Sequence, residues 1–318
     1  MWKSNKLFND DYIRLTNSFW FEFMPPNAYT CYIWGILYAI VMILGCTGNV
    51  LAIFMILKVK SLKAANIFML NLAIGDIILL ANTSFVIYNS YYQGPALGNL
   101  GCQIDGFTGT LARSVSTISS TAIAMDRFNP IIHPLKSLGR QTKRKARIRI
   151  GLIWICGFMF AIIPLLDIDY GFAPAGFLLN CTIDFMSSHF VDKFIIIIFY
   201  IIGSWLLPTI TVLYCYIMMS ISVYTISEAN SSRIGYTSTK KKKKIIFGIM
   251  TTSTIVLYVF SLTPYSIVII FGVLEKKEFI TPIIMALSAL SNIVCSSLNP
   301  WIYIILPKTF ENYRHRRN

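Results

Sequence analysis

Seven long apolar segments are the feature that most limits what this chain can fold into. They run approximately over residues 32–57, 64–88, 102–128, 148–166, 194–223, 242–273 and 281–306, numbered here as spans 1 to 7. Each is close to or longer than the roughly 20 residues that a membrane helix needs. Charged residues form only 13% of the chain, against about 25% in soluble domains. The pattern predicts an all-α membrane protein, a seven-transmembrane helix bundle in a lipid bilayer, and excludes a soluble enzyme.

The basic residues are distributed unevenly around these spans. Of the 28 lysines and arginines, 21 lie after spans 1, 3 and 5 or in the tail, and six lie on the opposite side. Because positive loops stay in the cytoplasm, we expect the N-terminus outside and the C-terminus inside. The net charge of +14 therefore reflects topology, and no nucleic acid is expected as a partner. The run Lys240–Lys244 has the same explanation, with contact to an acidic partner or anionic lipid as the alternative.

The spans divide the chain into three parts. We expect residues 1–31 to be an extracellular segment, 32–306 the transmembrane domain, and 307–318 a short cytoplasmic tail with one amphipathic helix. The first 20 residues lack the apolar core of a cleavable signal peptide. The protein is therefore expected to be a multi-pass protein of the plasma membrane.

Two of the seven cysteines are candidates for a disulfide. Cys102 begins span 3 and Cys181 lies in the outer loop before span 5, so both face an oxidising compartment. The others fall in or beside spans and are expected to be buried apolar side chains. No Cys/His spacing indicates a metal site, and no paired carboxylates, activated nucleophile or phosphate-binding loop indicate enzyme activity.

An ordered set of polar residues and prolines runs through all seven spans. Its members, one or more in each span, are Asn49, Asn71, Asp76, Cys102, Asp126-Arg127-Phe128, Trp154, Pro208, Tyr216, Pro264 and the NPWIY stretch with Asn299, Pro300 and Tyr303. This set resembles the rhodopsin-like (class A) G-protein-coupled receptors over nearly the whole chain. The resemblance implies a heterotrimeric G protein as partner.

The resemblance also assigns roles to these residues. Buried Asp76 would be satisfied by Asn49 and Asn299, often with a sodium ion and water. Arg127 would pair with Asp126 in the inactive state and meet the G protein in the active state. Tyr216 and Tyr303 would close behind it, and Pro264 and Pro300 would form hinges.

Finer stretches are similar to arthropod opsins of the short-wavelength type. They include YNSYYQGPALGNLGCQIDGF, AIAMDRFNPI, GFLLNCTIDF and LTPYSIV. An opsin would bind retinal through a lysine seven residues before the proline of NPxxY, and that position is Ile293 here. Since isoleucine cannot form an imine, covalent retinal is not expected. Non-covalent retinal stays open.

Other positions of the retinal pocket also depart from the opsin pattern. Ala175 replaces an acidic residue that serves as counterion in many invertebrate opsins, and Leu262 replaces the tryptophan that packs on the retinal ring. Gly109 stands where amine receptors carry an aspartate, which disfavours an amine ligand. With Asp105, Arg113, Tyr265 and Ile293, these residues form the expected ligand pocket.

A full positive charge within span 3 needs an anionic partner. Asp105 is one candidate for Arg113, although eight residues leave the two side chains about 80° apart around a helix, so a direct bridge would be stretched. An acidic ligand is the other candidate for its partner. The third explanation is that Arg113 arose by neutral drift and has no function.

The cytoplasmic end of span 6 departs from the opsin pattern as well. Lys244 stands where many arthropod opsins have a glutamate that locks the arginine of the span 3 motif, so we expect a weaker inactive state.

Three hypotheses for the function of the whole chain remain. The first is an opsin-like receptor without covalent retinal, which would sense a diffusible ligand or act without light. The second is a photoreceptor holding retinal another way, and the third is an amine or peptide receptor. A transporter, channel or scramblase would need more polar spans.

Overall fold

The structure is a computed structural model of the chain. It describes the backbone of residues 10–58, 64–132, 142–166, 171–187, 189–231 and 238–315. Side chains are described over the same ranges except for 10–11, 64–65, 190–191, 226–252, 254–255 and 303–315.

Seven long helical segments correspond to the seven spans. In chain order they are α2 (Ala28–Leu57), α3 (Ala64–Tyr92), α4 (Gly98–Ile132), α5 (Lys143–Ile162), the composite of α6 (Phe190–Ile195), a π-helical stretch (Ile196–Leu206) and α7 (Leu207–Ser231), then α8 (Ser238–Val273) and α9 (Pro282–His315). A short helix, α1 (Asp10–Leu15), precedes them. The seven-helix architecture expected from the sequence is confirmed.

Hydropathy explains six of these helices directly. Spans 1, 2, 4, 5, 6 and 7 each contain an apolar window long enough to cross a membrane by length and composition. On span 1, large side chains such as Ile36 and Ile40 are exposed on the outside of the bundle, as a lipid-facing surface requires. Span 3 is too polar for the same criterion, and its serines and threonines are mostly buried among other helices.

Span 3 can be polar because it lies inside the bundle. It packs against spans 2, 4 and 5, while spans 1, 2, 6 and 7 continue the ring around it. A hydrogen-bond chain ties three of these helices together. The indole of Trp154 donates to Asn71 Oδ1 at 2.9 Å, and Asn71 Nδ2 donates to Ser119 Oγ at 2.8 Å.

The outer end of the bundle is covered by a hairpin and by the N-terminal segment. Strand β1 (Phe172–Ala175) pairs antiparallel with β2 (Asn180–Ile183), and a disulfide joins Cys181 to Cys102 at the start of span 3. The predicted bridge is therefore confirmed. A 3₁₀ turn at Ser18–Glu22 buries Trp20 in the same apolar cluster as Phe172.

Two features of the fold differ from the sequence-based expectation. The outer loop before span 5 contains a hairpin, which the seven apolar runs did not reveal because its strands are only four residues long. The stretch after span 7 is helical, but it continues α9 to His315 and is not a separate helix. No glycine follows span 7 in the sequence that would end the helix with a left-handed cap.

Candidate functional site

Two small cavities lie side by side in the outer half of the bundle, each of about 40 Å³. The first, which we name the Asp105 cavity, is also lined by Asn82, Thr182 and Ile293. The second, the Trp205 cavity, includes Trp205 among its lining residues. Its polar lining consists of hydroxyl, amide and indole groups contributed by Thr110, Ser114, Thr117, Tyr200, Ser204, Trp205, Tyr265, Ser266 and Asn292.

Thr110, Arg113 and Tyr265 line both cavities, and the long side chains of Arg113 and Tyr265 form most of the partition between them. The guanidinium carbon of Arg113 lies 4.9 Å from the centre of the Tyr265 ring, in a cation–π contact. The hydroxyl of Tyr265 hydrogen-bonds to Thr182 of β2. One contact set therefore joins span 3, span 6 and the outer hairpin.

The carboxylate of Asp105 is satisfied without a direct bridge to Arg113. Asn82 Nδ2 donates to Asp105 Oδ1 at 2.8 Å, and the backbone N–H of Cys181 donates to Oδ2 at 2.8 Å. The two charges interact electrostatically. Among the residues that the structure describes, however, the single ion pair within 4.0 Å is that of Lys193 and Glu275.

Gly109 is in the site because the neighbouring helix leaves no room for a side chain. A Cβ built on Gly109 would lie 2.9 Å from Nδ2 of Asn82, the residue that holds Asp105. An aspartate here, as in amine receptors, would have to displace that amide. Steric contact with Asn82 is therefore a second reason, beside the sequence, to disfavour an amine ligand.

Ile293 lines the Asp105 cavity, and Leu262 lines the Trp205 cavity. Ile293 is 6% exposed and packs in an apolar cluster with Tyr38, Leu80 and Val86. Leu262 borders the Trp205 cavity and also packs against the cluster around Tyr216. Ala175 was expected in the pocket, but it is 2% exposed within β1 and lines neither cavity, because its strand packs into the outer apolar cluster.

The Asp76 cluster lies deeper in the bundle and is only partly as expected. Asn299 Nδ2 donates to Asp76 Oδ2 at 3.3 Å. Asn49 instead donates to the backbone oxygens of Gly45 and Ser296, at 3.0 and 3.1 Å, so its expected bond to Asp76 is wrong. The amide of Asn49 is used by these two carbonyls. Asn49, Asp76 and Asn299 nevertheless line one cavity of about 220 Å³.

The expected switch residues lie near the inner end of span 3 where their side chains are described. Asp126 is buried and interacts electrostatically with Arg149 and Arg127. Tyr216 is 1% exposed and packs with Met219. Pro264 and Pro300 lie inside helices. The side chains of Lys244 and Tyr303 are outside the described residues, so their expected roles stay predictions.

Sequence reasoning missed three residues that shape the site. Asn82 holds Asp105, Thr182 holds Tyr265, and Trp205 lines the second cavity. Asn82 carried a signal, since it is a polar residue in an apolar span six positions after Asp76. No signal in the sequence pointed to Thr182 and Trp205, because the register of the hairpin and the rotation of the helix decide which way their side chains point.

Comparisons with known proteins agree with this architecture. The family model "7 transmembrane receptor (rhodopsin family)" matches residues 48–303. The ultraviolet-sensitive opsin of Apis mellifera is 30% identical over 298 residues, covering 90% of this chain and 79% of that protein. A rhodopsin of Mizuhopecten yessoensis described as GQ-coupled is 26% identical over 309 residues, or 94% of this chain and 62% of that protein.

A solved structure supports the same fold. The crystal structure of squid rhodopsin superposes with a TM-score of 0.82 at 24% identity, covering 93% of this chain and 82% of that chain. The family match and the apolar helices also establish a multi-pass membrane protein, for which the plasma membrane is the usual location. The chain belongs to the rhodopsin family of seven-transmembrane receptors.

Proposed function

We propose that this chain is an opsin-like receptor that couples a pocket near its outer face to a heterotrimeric G protein without covalent retinal. The observation that carries this proposal is Ile293. An aliphatic side chain has no amine to form a Schiff base, and here it is buried against Tyr38 and Val86. The residues present therefore do not fit a covalently bound retinal.

The size and contents of the pocket support the same conclusion. Arg113 and Tyr265 divide the space into two cavities of about 40 Å³ each, far below the roughly 300 Å³ at the lower end of sites for drug-sized ligands. A polyene chromophore would have to displace this partition. The geometry favours a smaller, polar ligand.

The route from pocket to G protein runs through Leu262. This residue touches the Trp205 cavity above and the buried cluster of Val212, Tyr216 and Tyr258 below. A ligand that shifts Leu262 would change the packing of that cluster and favour outward movement of span 6 about Pro264, which lies inside its helix. Coupling to a G protein is supported by the family and by the Mizuhopecten yessoensis relative, whose description says that it is GQ-coupled.

A sodium ion fits the Asp76 cluster. Asp76 is fully buried, and its Oδ1 has no hydrogen-bond donor among the described residues. The hydroxyl of buried Ser116 is a neighbour of this carboxylate. These oxygens would hold the ion, and its charge would stabilise the buried carboxylate. Melting temperatures in sodium chloride above those in choline chloride, lost in Asp76→Asn, would support the site.

The test of covalent retinal is an absorption spectrum. Purified protein is incubated with 11-cis-retinal, treated with borohydride and compared with Ile293→Lys, which restores the amine. We expect a free-retinal spectrum and no trapped adduct for the wild type. A band in the wild type that bleaches in light would contradict the proposal and restore the photoreceptor reading.

The test of coupling is separate. Nucleotide exchange on purified Gq-type and Gi-type heterotrimers is measured with the wild type and with Arg127→Ala at matched receptor concentration. We expect exchange above the receptor-free rate for the wild type and a loss in the variant. Equal rates with and without receptor, in the presence of the carboxylates considered below, would contradict coupling.

A further inference from the structure

We propose that the Trp205 cavity is a binding site for a short-chain carboxylate, held by the guanidinium of Arg113 and the indole N–H of Trp205. The inference names the ligand class of the pocket and so rests on the proposed function.

Arg113 is a partly buried cation with unused hydrogen-bonding capacity. Its Nε is buried and has no acceptor among the residues that the structure describes. An arginine side chain stays protonated and carries five N–H donors. The contact with the Tyr265 ring stabilises the charge but accepts no N–H bond in the plane of the guanidinium. An oxyanion would supply the acceptors that the described residues do not.

Asp105 does not fill this role. Both of its oxygens already accept hydrogen bonds at 2.8 Å, from Asn82 and from the backbone of Cys181. The carboxylate also lines the other cavity, on the far side of the partition that Arg113 forms with Tyr265. Among the described residues no ion pair within 4.0 Å joins it to Arg113, so the guanidinium, which lines both cavities, can bind an external anion.

Trp205 provides a second, independent indication. Its indole Nε1 is buried without an acceptor among the described residues, although the side chain lines the same cavity as Arg113. The indole nitrogen is a donor only. Two buried donors without acceptors at one cavity indicate a ligand that accepts hydrogen bonds, since an unpaired buried donor destabilises the folded protein.

The rest of the lining selects an anion over a cation. Within the part of the chain that the structure describes, no aspartate or glutamate lines the Trp205 cavity. The surrounding groups are neutral hydroxyls and an amide, including Ser114, Ser204 and Asn292, which can donate to a carboxylate. Trp205 belongs to the π-helical stretch Ile196–Leu206, and departures of this type from α-helical geometry are frequent at functional sites.

The cavity volume limits the size of the ligand. About 40 Å³ corresponds to roughly three or four water-sized groups, at 10–15 Å³ of probe-occupied space for each. Acetate and propionate are of this size. Their planar carboxylate also matches the two-pronged geometry of a guanidinium, which a spherical halide does not.

The first experiment uses the wild-type receptor alone. Melting temperature and isothermal titration calorimetry are measured with acetate, propionate and butyrate, with the uncharged amides of the same acids, and with chloride at equal ionic strength. We expect the acids to bind and stabilise the receptor, and the amides to bind at least about 10-fold more weakly, as the loss of a charge-assisted bond predicts. Equal binding of acids and amides, no binding of any acid, or a response to chloride alone would overturn the proposal.

The second experiment uses matched variants of the two donors. Arg113→Met keeps the length of the side chain without the charge, and Trp205→Phe keeps an aromatic ring without the N–H. We expect about 10- to 100-fold weaker propionate binding in the first and about 2- to 10-fold in the second. Cys156→Ser, at an exposed free cysteine that lines neither cavity, is the control and should bind propionate as the wild type does. Unchanged binding in both donor variants would overturn the proposal.

These outcomes separate the ligand from the function. Propionate binding is measured without a G protein, so binding without nucleotide exchange would contradict the coupling proposed above and leave the carboxylate site intact. Nucleotide exchange that is independent of carboxylates, together with no propionate binding, would contradict the carboxylate site and leave the proposed coupling intact.

Discussion

The guanidinium of Arg113 lies over the ring of Tyr265, with its carbon 4.9 Å from the ring centre, and the hydroxyl of Tyr265 hydrogen-bonds to Thr182. This relationship links a partly buried charge of span 3 to span 6 and to the hairpin that covers the pocket. A change at the charge is thereby connected to the helix whose movement we propose for signalling.

The Tyr265 contacts can be tested by two substitutions. Tyr265→Phe keeps the ring under Arg113 and removes the bond to Thr182, so we expect a loss of about 1 kcal/mol in stability. Tyr265→Leu also removes the cation–π contact, which adds about 0.5–2 kcal/mol. Thermal unfolding of the purified receptor measures both. Equal melting temperatures for the Tyr265→Phe and Tyr265→Leu variants would contradict a contribution of the cation–π contact to stability.

The disulfide should be necessary for the outer half of the pocket. Cys181 is tied to Cys102 and its backbone N–H holds Asp105, so Cys181→Ser releases the hairpin and weakens that bond. We expect a loss of about 2–5 kcal/mol and much lower surface expression. Cys156→Ser, at an exposed free cysteine, is the control and should express normally. The double variant Cys102→Ser/Cys181→Ser should be no worse than either single variant.

Gly109 should tolerate no side chain. Its Cβ would lie 2.9 Å from Asn82 Nδ2, and we expect Gly109→Ala to cost about 1–3 kcal/mol through displacement of that amide. Gly151 is also in a helix, but a methyl group at this position would have open space for 4 Å around it, so Gly151→Ala should stabilise by about 0.5–1 kcal/mol. A melting temperature for Gly109→Ala equal to or above that of the wild type would contradict the role of the Asn82 contact.

The outer face should respond to pH through Asp184. Burial raises the pKa of this carboxyl above its ordinary 3.8, although Met186 N–H and Asn17 Nδ2 donate to it. The folded state therefore binds the proton more tightly than the unfolded state. The contribution of Asp184 to stability is fully present below pH 3.8 and is lost as pH rises through the raised pKa.

The variant Asp184→Asn tests this pH dependence. We expect its melting temperature to decline less than that of the wild type as pH rises from 3.8 upward. Glu275→Gln provides the opposite case. Lys193 lowers the pKa of Glu275 below 4.5, so that pair favours folding at higher pH and its effect fades as pH falls. Parallel curves for wild type and Asp184→Asn would contradict the role of this carboxyl.

Lys244 should weaken the inactive state. It stands twenty residues before Pro264, a position at which the resemblance to arthropod opsins implies a glutamate that would attract Arg127, whereas a lysine would repel it. We expect basal second-messenger output above that of empty-vector cells at matched surface expression, and a decrease in Lys244→Glu. Lys243→Glu adds the same charge about 100° around the helix and is the control. Output of the wild type equal to that of empty vector would contradict the prediction.

Much of this protein could be predicted from its sequence because the membrane imposes simple rules. A bilayer requires long apolar helices and places positive loops on one side, so six of the seven spans follow from the pattern of apolar residues alone. The disulfide followed from topology, since Cys102 and Cys181 share the outer face. The absence of a lysine at Ile293 is likewise a property of the sequence, and no folding can change its chemistry.

The site itself depended on the tertiary structure. Arg113 and Asp105 lie on one helix, yet only the packing of span 2 and the hairpin shows that Asn82 and Cys181 already occupy the carboxylate. Only the fold brings Trp205 to the cavity that Arg113 lines. Helix periodicity fixes which residues share a face, whereas the neighbour that each face meets is decided by packing among helices distant in sequence.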